Sequence, residues 1–175
     1  MFKIISILTA VLLLFTSSVE AQKTNTANKK RFSISAKSWV VADVNGKIIK
    51  GANTNDLRSI ASITKLMTAM VVLDANQNLD EKINDISRRQ HLRLALIRSN
   101  NDSSDLLCEH YPGGYQACVD AMNAKARSLK MRDTSFVDAS GLDDDNVSTS
   151  SSLIKLVLAA QEYPLIVKSS QTPHM

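Results

Sequence analysis

Residues 60–73 read Ile-Ala-Ser-Ile-Thr-Lys-Leu-Met-Thr-Ala-Met-Val-Val-Leu, an apolar run with Ser62 and Lys65 near its start. The run reads as a helix from Ser62 to about Ala75. On a helix, positions i and i+3 share a face, so a hydroxyl and an amine project side by side from an element whose other faces are buried. Burial disfavours the ammonium form, which lowers the lysine pKa and lets it act as a base. A serine beside such a base becomes a nucleophile. The positive potential of the helix N-terminus favours negative charge developing near Ser62. The same spacing recurs at Ser152 and Lys155 without any accompanying motif and is read as chance, so the spacing gains weight only from its surroundings.

The chain has 175 residues, the size of one domain with its flanking segments. Residues 1–21 read as a secretory signal. Lys3 supplies the basic start, Ile4 to Phe15 is apolar but short for a bilayer span, and Val19-Glu20-Ala21 precedes an expected cleavage after Ala21. An uncleaved N-terminal anchor is the alternative, and either way the remainder is exported to the periplasm or cell envelope. The two cysteines suit an oxidising compartment. Cys108 and Cys118 flank the turn Tyr111-Pro112-Gly113-Gly114, which is compatible with a disulfide and equally with two small buried thiols.

No Cys/His spacing fits a zinc site, and His91, His110 and His174 are scattered, each expected at or near the surface. Asp143 to Asp145 lack the glycine and later glutamate of a calcium loop and read as solvated. The net charge is +4 and the isoelectric point about 9.1. Lys29-Lys30-Arg31 and Arg88-Arg89 are local basic clusters, read as solvated surface that tolerates an anionic envelope. Export and the scarcity of aromatics exclude nucleic acid as a partner.

Residues 22–37 are polar and aperiodic, a flexible lead-in to a domain over 38–175. Asn45-Gly46 between β-forming runs predicts an antiparallel hairpin with strands at about 38–43 and 47–50, followed by a loop from Gly51 to Ser59. Asn76 to Asp80 breaks the Ser62 helix. A basic amphipathic stretch runs from Arg88 to Ile97 and ends at the polar cluster Ser99 to Ser104. Its pattern is explained by ordinary packing, without a membrane-surface role. Helices are expected over Asp102–Glu109, Tyr115–Leu129 and Leu153–Gln161, the last capped by the serines at 150–152 and ended by Tyr163-Pro164. Thr134 to Asn146 is a loop containing Gly141, and the last ten residues show no strong element.

In order, these segments resemble the serine D-Ala-D-Ala carboxypeptidases, the low-molecular-weight penicillin-binding proteins. The resemblance covers most of residues 38–165. It is carried by the hairpin Val40 to Ile49, by Ala61-Ser62-Ile63-Thr64-Lys65-Leu66-Met67-Thr68-Ala69, by Ser99-Asn100-Asn101-Asp102 as an S-x-N element, and by Met122-Asn123-Ala124-Lys125-Ala126 through Ser140-Gly141-Leu142 to Thr149. Asp138 stands where the family often has asparagine. The resemblance implies an α+β fold of the β-lactamase/transpeptidase type. Here that fold is mostly helical, with an N-terminal β-hairpin and an incomplete antiparallel sheet. It also implies acyl transfer without a metal or organic cofactor. Ser62 would attack the penultimate D-Ala carbonyl of a peptidoglycan stem peptide, Lys65 would take its proton, Ser99 would relay a proton to the leaving group, and Asn101 would hold the substrate backbone. β-Lactams would acylate the same serine. The membrane would be a partner only through an uncleaved signal segment.

Two departures from the family stand out. The stretch 75–99 is short, and no Lys-Thr-Gly triplet occurs. In the family that triplet lies on a later central strand, binds the substrate carboxylate and completes the oxyanion hole, where one lost donor costs about 10²–10³ in rate. The domain is therefore expected to be C-terminally truncated. Two rival readings follow: a non-catalytic envelope protein that binds wall peptides or a partner, and a fragment whose remaining strands are supplied elsewhere or lost.

Overall fold

Helix α1 (Thr64–Asp74) carries the apolar run and is buried almost all round: Met67, Met70 and Val72 have no solvent exposure, and Ala69 and Val71 almost none. The structure, a computed structural model, describes residues 34–172. The expected signal, its cleavage point, most of the lead-in, Lys29-Lys30-Arg31 and His174 lie outside the described residues. A helix apolar on every face is stable only at the centre of a bundle. α1 is packed by α2 (Arg88–Arg98), α3 (Asn101–Glu109), α4 (Gly114–Ser128) and α5 (Ser150–Ala160). Leu92, Leu107, Met122, Phe136 and Leu156 complete the core around it, each contributing on the order of 1.5–3 kcal/mol through burial.

The helix begins later than the sequence suggested. Ala61–Ile63 form a single 3₁₀ turn, so Ser62 stands just ahead of α1 rather than in its first turn. Ala61 has φ +45°, in the left-handed region, and this bend separates the turn from the preceding strand.

Strands β1 (Trp39–Ala42) and β2 (Ile48–Ala52) form the expected antiparallel hairpin, but the connection is not a two-residue Asn-Gly turn. Asp43 and Lys47 close a three-residue loop in which Gly46 takes φ +82°. The Asp43 carboxylate accepts the Asn45 and Lys47 N–H groups, each at 2.9 Å. The segment read as a plain loop also contains β3 (Arg58–Ser59), paired antiparallel with β6 (Val147–Ser148). Ile60 N–H extends that ladder to the Asn146 carbonyl at 3.0 Å. The pairing ties the lead into Ser62 to the end of the 134–146 loop. A further small hairpin, β4 (Lys82–Ile83) with β5 (Ile86–Ser87), precedes α2.

Several local expectations are corrected. α2 starts with a capping box in which Ser87 and Gln90 satisfy each other's backbone N–H groups. Arg88 is not surface: it is 1% exposed, with its guanidinium on Glu81 at 2.7 Å and directed at the His110 carbonyl at 3.4 Å. A cation taken out of water needs such partners. His91 is likewise buried, its ring bridging Ser103 Oγ at 3.2 Å and the Ile83 carbonyl at 3.0 Å. α5 begins at Ser150, not Leu153, because Thr149 is the cap and its hydroxyl accepts the Ser152 N–H at 3.1 Å. Residues expected to be irregular form α6 (Pro164–Ser170); Pro164 opens this helix, since proline at the first position forfeits no intrahelical hydrogen bond.

Cys108 on α3 and Cys118 on α4 are bonded to each other, and both are fully buried. The bridge closes a loop of sequence separation 10. Chain-entropy arguments give such a loop about 3 kcal/mol. Cys108→Ser/Cys118→Ser is therefore expected to lower the urea-unfolding free energy by about that amount, with dithiothreitol alone acting slowly on the folded protein.

Candidate active site

Three stretches remote in sequence meet at the Ser62 hydroxyl. The 3₁₀ turn presents Ser62 to solvent, while Lys65, one turn on, is 2% exposed. Lys65 Nζ donates to Ser62 Oγ at 3.0 Å and to the Ser140 carbonyl at 2.6 Å. From the other side Ser99 Oγ donates to Ser62 Oγ at 2.8 Å. Ser99 reaches it because it ends α2 in the left-handed conformation, φ +53°, which turns the chain sharply between α2 and α3. A left-handed non-glycine residue costs roughly 1–2 kcal/mol. Two of them, Ala61 and Ser99, flank this one hydroxyl, where such strain tends to collect.

Burial pulls the Lys65 amine below the usual lysine value, and the charges of Asp105 and Asp138 pull it part of the way back. Asp105, on α3, is itself pushed up, chiefly by burial, against the lowering effect of its bond from Tyr115. Tyr115 on α4 is pushed up to about 12, chiefly by burial. It therefore remains a phenol, donating to Asp105 at 3.0 Å and accepting the Ala139 N–H at 3.1 Å. Thr68 of α1 donates to the Ala139 carbonyl at 2.7 Å. Asn123 of α4 grips Phe136 at both its N–H and its carbonyl, at 3.0 and 2.7 Å. The loop that presents the Ser140 carbonyl is thus anchored to two helices.

Of the residues singled out from the sequence, Ser62, Lys65 and Ser99 come together. Asn101 is the first residue of α3 and is half-buried; among the described residues its side chain makes no hydrogen bond with the other three. The cap of α3 is Asn100, between Ser99 and Asn101; its side chain accepts the Ser103 N–H at 2.7 Å. Ser152 is buried and Lys155 donates to the Lys130 carbonyl, so the second Ser-x-x-Lys pair forms no site. Asp143, Asp144 and Asp145 are exposed. Asp105, Tyr115, Asp138 and the Ser140 carbonyl were not singled out for this site. Their part in it depends on long-range packing, and a backbone carbonyl carries no residue signature.

The family model described as D-alanyl-D-alanine carboxypeptidase matches residues 22–86 and 79–174. This chain belongs to that family. It is 44% identical over 160 aligned positions to a D-alanyl-D-alanine endopeptidase of Escherichia coli, covering 79% of this chain and 52% of the relative. It is 43% identical over 157 positions to a D-alanyl-D-alanine endopeptidase of Pseudomonas aeruginosa, covering 78% and 51%. The chain spans about half the length of these curated relatives. Among solved structures, penicillin-binding protein D2 of Listeria monocytogenes in its ampicillin-bound form superposes with TM-score 0.74 at 30% identity, over 81% of this chain and 68% of that one. The D-alanyl-D-alanine carboxypeptidase of Mycobacterium tuberculosis superposes with TM-score 0.73 at 29% identity, over 79% and 60%. The fold is the α+β fold of the penicillin-binding and DD-peptidase proteins, here mostly helical with small antiparallel sheets.

Proposed function

We propose that the protein is an exported serine peptidase of the cell wall that cleaves at D-alanine in peptidoglycan stem peptides through an acyl-enzyme. The observation that carries this reading is the exposed Ser62 hydroxyl held within hydrogen-bond distance of both a buried amine and a second hydroxyl. In the ammonium form the 3.0 Å bond runs from Lys65 to Ser62. Loss of one proton leaves Lys65 a lone pair for the Ser62 O–H, while an N–H still serves the Ser140 carbonyl. Ser62 Oγ then attacks the D-Ala carbonyl carbon and its proton passes to Lys65. The C–N bond breaks, and the departing amine takes a proton that Ser99 relays from Lys65. Water attacks the resulting ester under the same base, releasing the acid and restoring Ser62. Asn101, two residues beyond Ser99, is assigned to the substrate backbone.

The identities of 44% and 43% to proteins named endopeptidases favour cleavage of cross-links over removal of a terminal D-alanine. Purified cross-linked muropeptide dimers and pentapeptide monomers, incubated separately with the protein, test this by chromatography. Monomers released from dimers support the endopeptidase, free D-alanine from pentapeptide supports the carboxypeptidase, and neither product from folded protein counts against catalysis. The rival reading, a non-catalytic envelope protein that binds a partner, draws support from the open apolar groove between the hairpin, α1 and α5, lined by Val40, Ile63, Leu66, Leu153 and Val157.

A further inference from the structure

Asp138 lies in the loop that presents the Ser140 carbonyl to Lys65, and its carboxylate is unusually occupied. Oδ1 accepts the Ser140 N–H at 2.9 Å and the Gly141 N–H at 2.5 Å, and Oδ2 accepts the Asp143 N–H at 2.7 Å. Both oxygens face backbone donors, an arrangement that an ionised carboxylate satisfies fully and an amide cannot. We propose that Asp138 is a positioning residue for Lys65: it folds the Ser140–Asp143 backbone so that the Ser140 carbonyl meets the amine, and it sets a negative charge toward that amine. The inference rests on the acyl-transfer reading for its effect on reactivity, but not for its effect on Lys65 itself.

The geometry separates the two parts. Asparagine at 138 retains one acceptor oxygen for Ser140 and Gly141, loses the charge, and turns an N–H₂ toward the Asp143 N–H. Alanine removes all three bonds. The charged groups acting on the Lys65 amine are Asp105 from α3 and Asp138 from the loop, and both favour the ammonium form. Tyr115 from α4 reaches the loop as a neutral phenol. Removing the Asp138 charge leaves Asp105 alone to oppose desolvation, so the amine loses its proton at lower pH.

The test compares wild type, Asp138→Asn and Asp138→Ala by the rate of acylation with a fluorescent penicillin across pH, and by the 13Cε shift of Lys65 in protein labelled at lysine, assigned with Lys65→Arg. Asp138→Asn is expected to move the acid limb of the rate profile and the Lys65 midpoint to lower pH. Asp138→Ala is expected to lower the plateau rate by about tenfold or more, with Asp138→Asn recovering most of it. If the wild type is not acylated, the proposed chemistry fails, yet the 13Cε titration still decides for Asp138. A Lys65 midpoint unchanged in Asp138→Asn overturns the inference, and so do rate profiles of both variants that superimpose on the wild type while only their melting temperatures fall.

Discussion

Replacing Lys65 by methionine is expected to slow acylation of Ser62 by about 10²–10⁴, the usual weight of a positioned general base, while the protein stays folded. Methionine fills the buried stem of the lysine with similar volume. It removes a buried amine whose ammonium form is disfavoured by desolvation and leaves the Ser140 carbonyl without a partner, and these two effects oppose each other. The melting temperature should therefore move by only a few degrees. The pH dependence of stability supplies a second signature. The Lys65 pKa is lowered in the folded state from the ordinary 10.5, so between the two values the unfolded chain binds more protons. Wild-type stability gains a contribution as pH rises through that window. In Lys65→Met this contribution is absent. Chemical denaturation at several pH values, beside the acylation rates, separates a lost base from a damaged fold.

Gly141→Ala is expected to cost about 2–5 kcal/mol and to abolish acylation. Gly141 has φ +79°, where an alanine pays roughly 1–2 kcal/mol. Its added Cβ would also collide with the Ala61 carbonyl and come within 2.9 Å of Thr64 Oγ1. These are the residues on either side of Ser62 and Ile63, and backbone cannot yield as a flexible side chain does, so a further 1–3 kcal/mol of overpacking is expected. Gly114→Ala is the matched control. It shares a positive φ of +83° but has nothing within 4 Å of the new Cβ, so it should show the conformational cost alone and leave Ser62 reactive. Urea unfolding of both variants checks the difference. Equal losses would remove the close approach of the Gly141 loop to the Ser62 turn as a structural requirement.

The parts of this molecule legible from sequence are those specified by near neighbours. The Ser62–Lys65 relation needs only helical spacing and an apolar surround, and α1, α3 and α4 were readable from near neighbours too, whereas α2 read only as an amphipathic stretch. The hairpin was readable in its existence but not in its turn, because the Asp43 carboxylate rather than Asn45-Gly46 alone organises the loop. α6 was hidden by Pro164, a residue that ends one helix and opens another equally well. β3–β6 joins two dipeptides about ninety positions apart, which no local pattern encodes. Arg88 looks like surface beside Arg89 until Glu81 is folded against it. At the site, Ser99 was found through its motif. The supporting groups Asp105, Tyr115 and the Ser140 carbonyl gain meaning only from where the 134–146 loop docks.

The measurement that bears most directly on the central claim is mass-spectrometric mapping of the adduct formed with penicillin. Incubation at neutral pH should add one drug mass to the protein, localised to the peptide containing Ser62 and absent in Ser62→Ala. An adduct on any other residue, or a natively folded wild-type protein that gains no mass at saturating drug, would contradict a Ser62 nucleophile activated by Lys65.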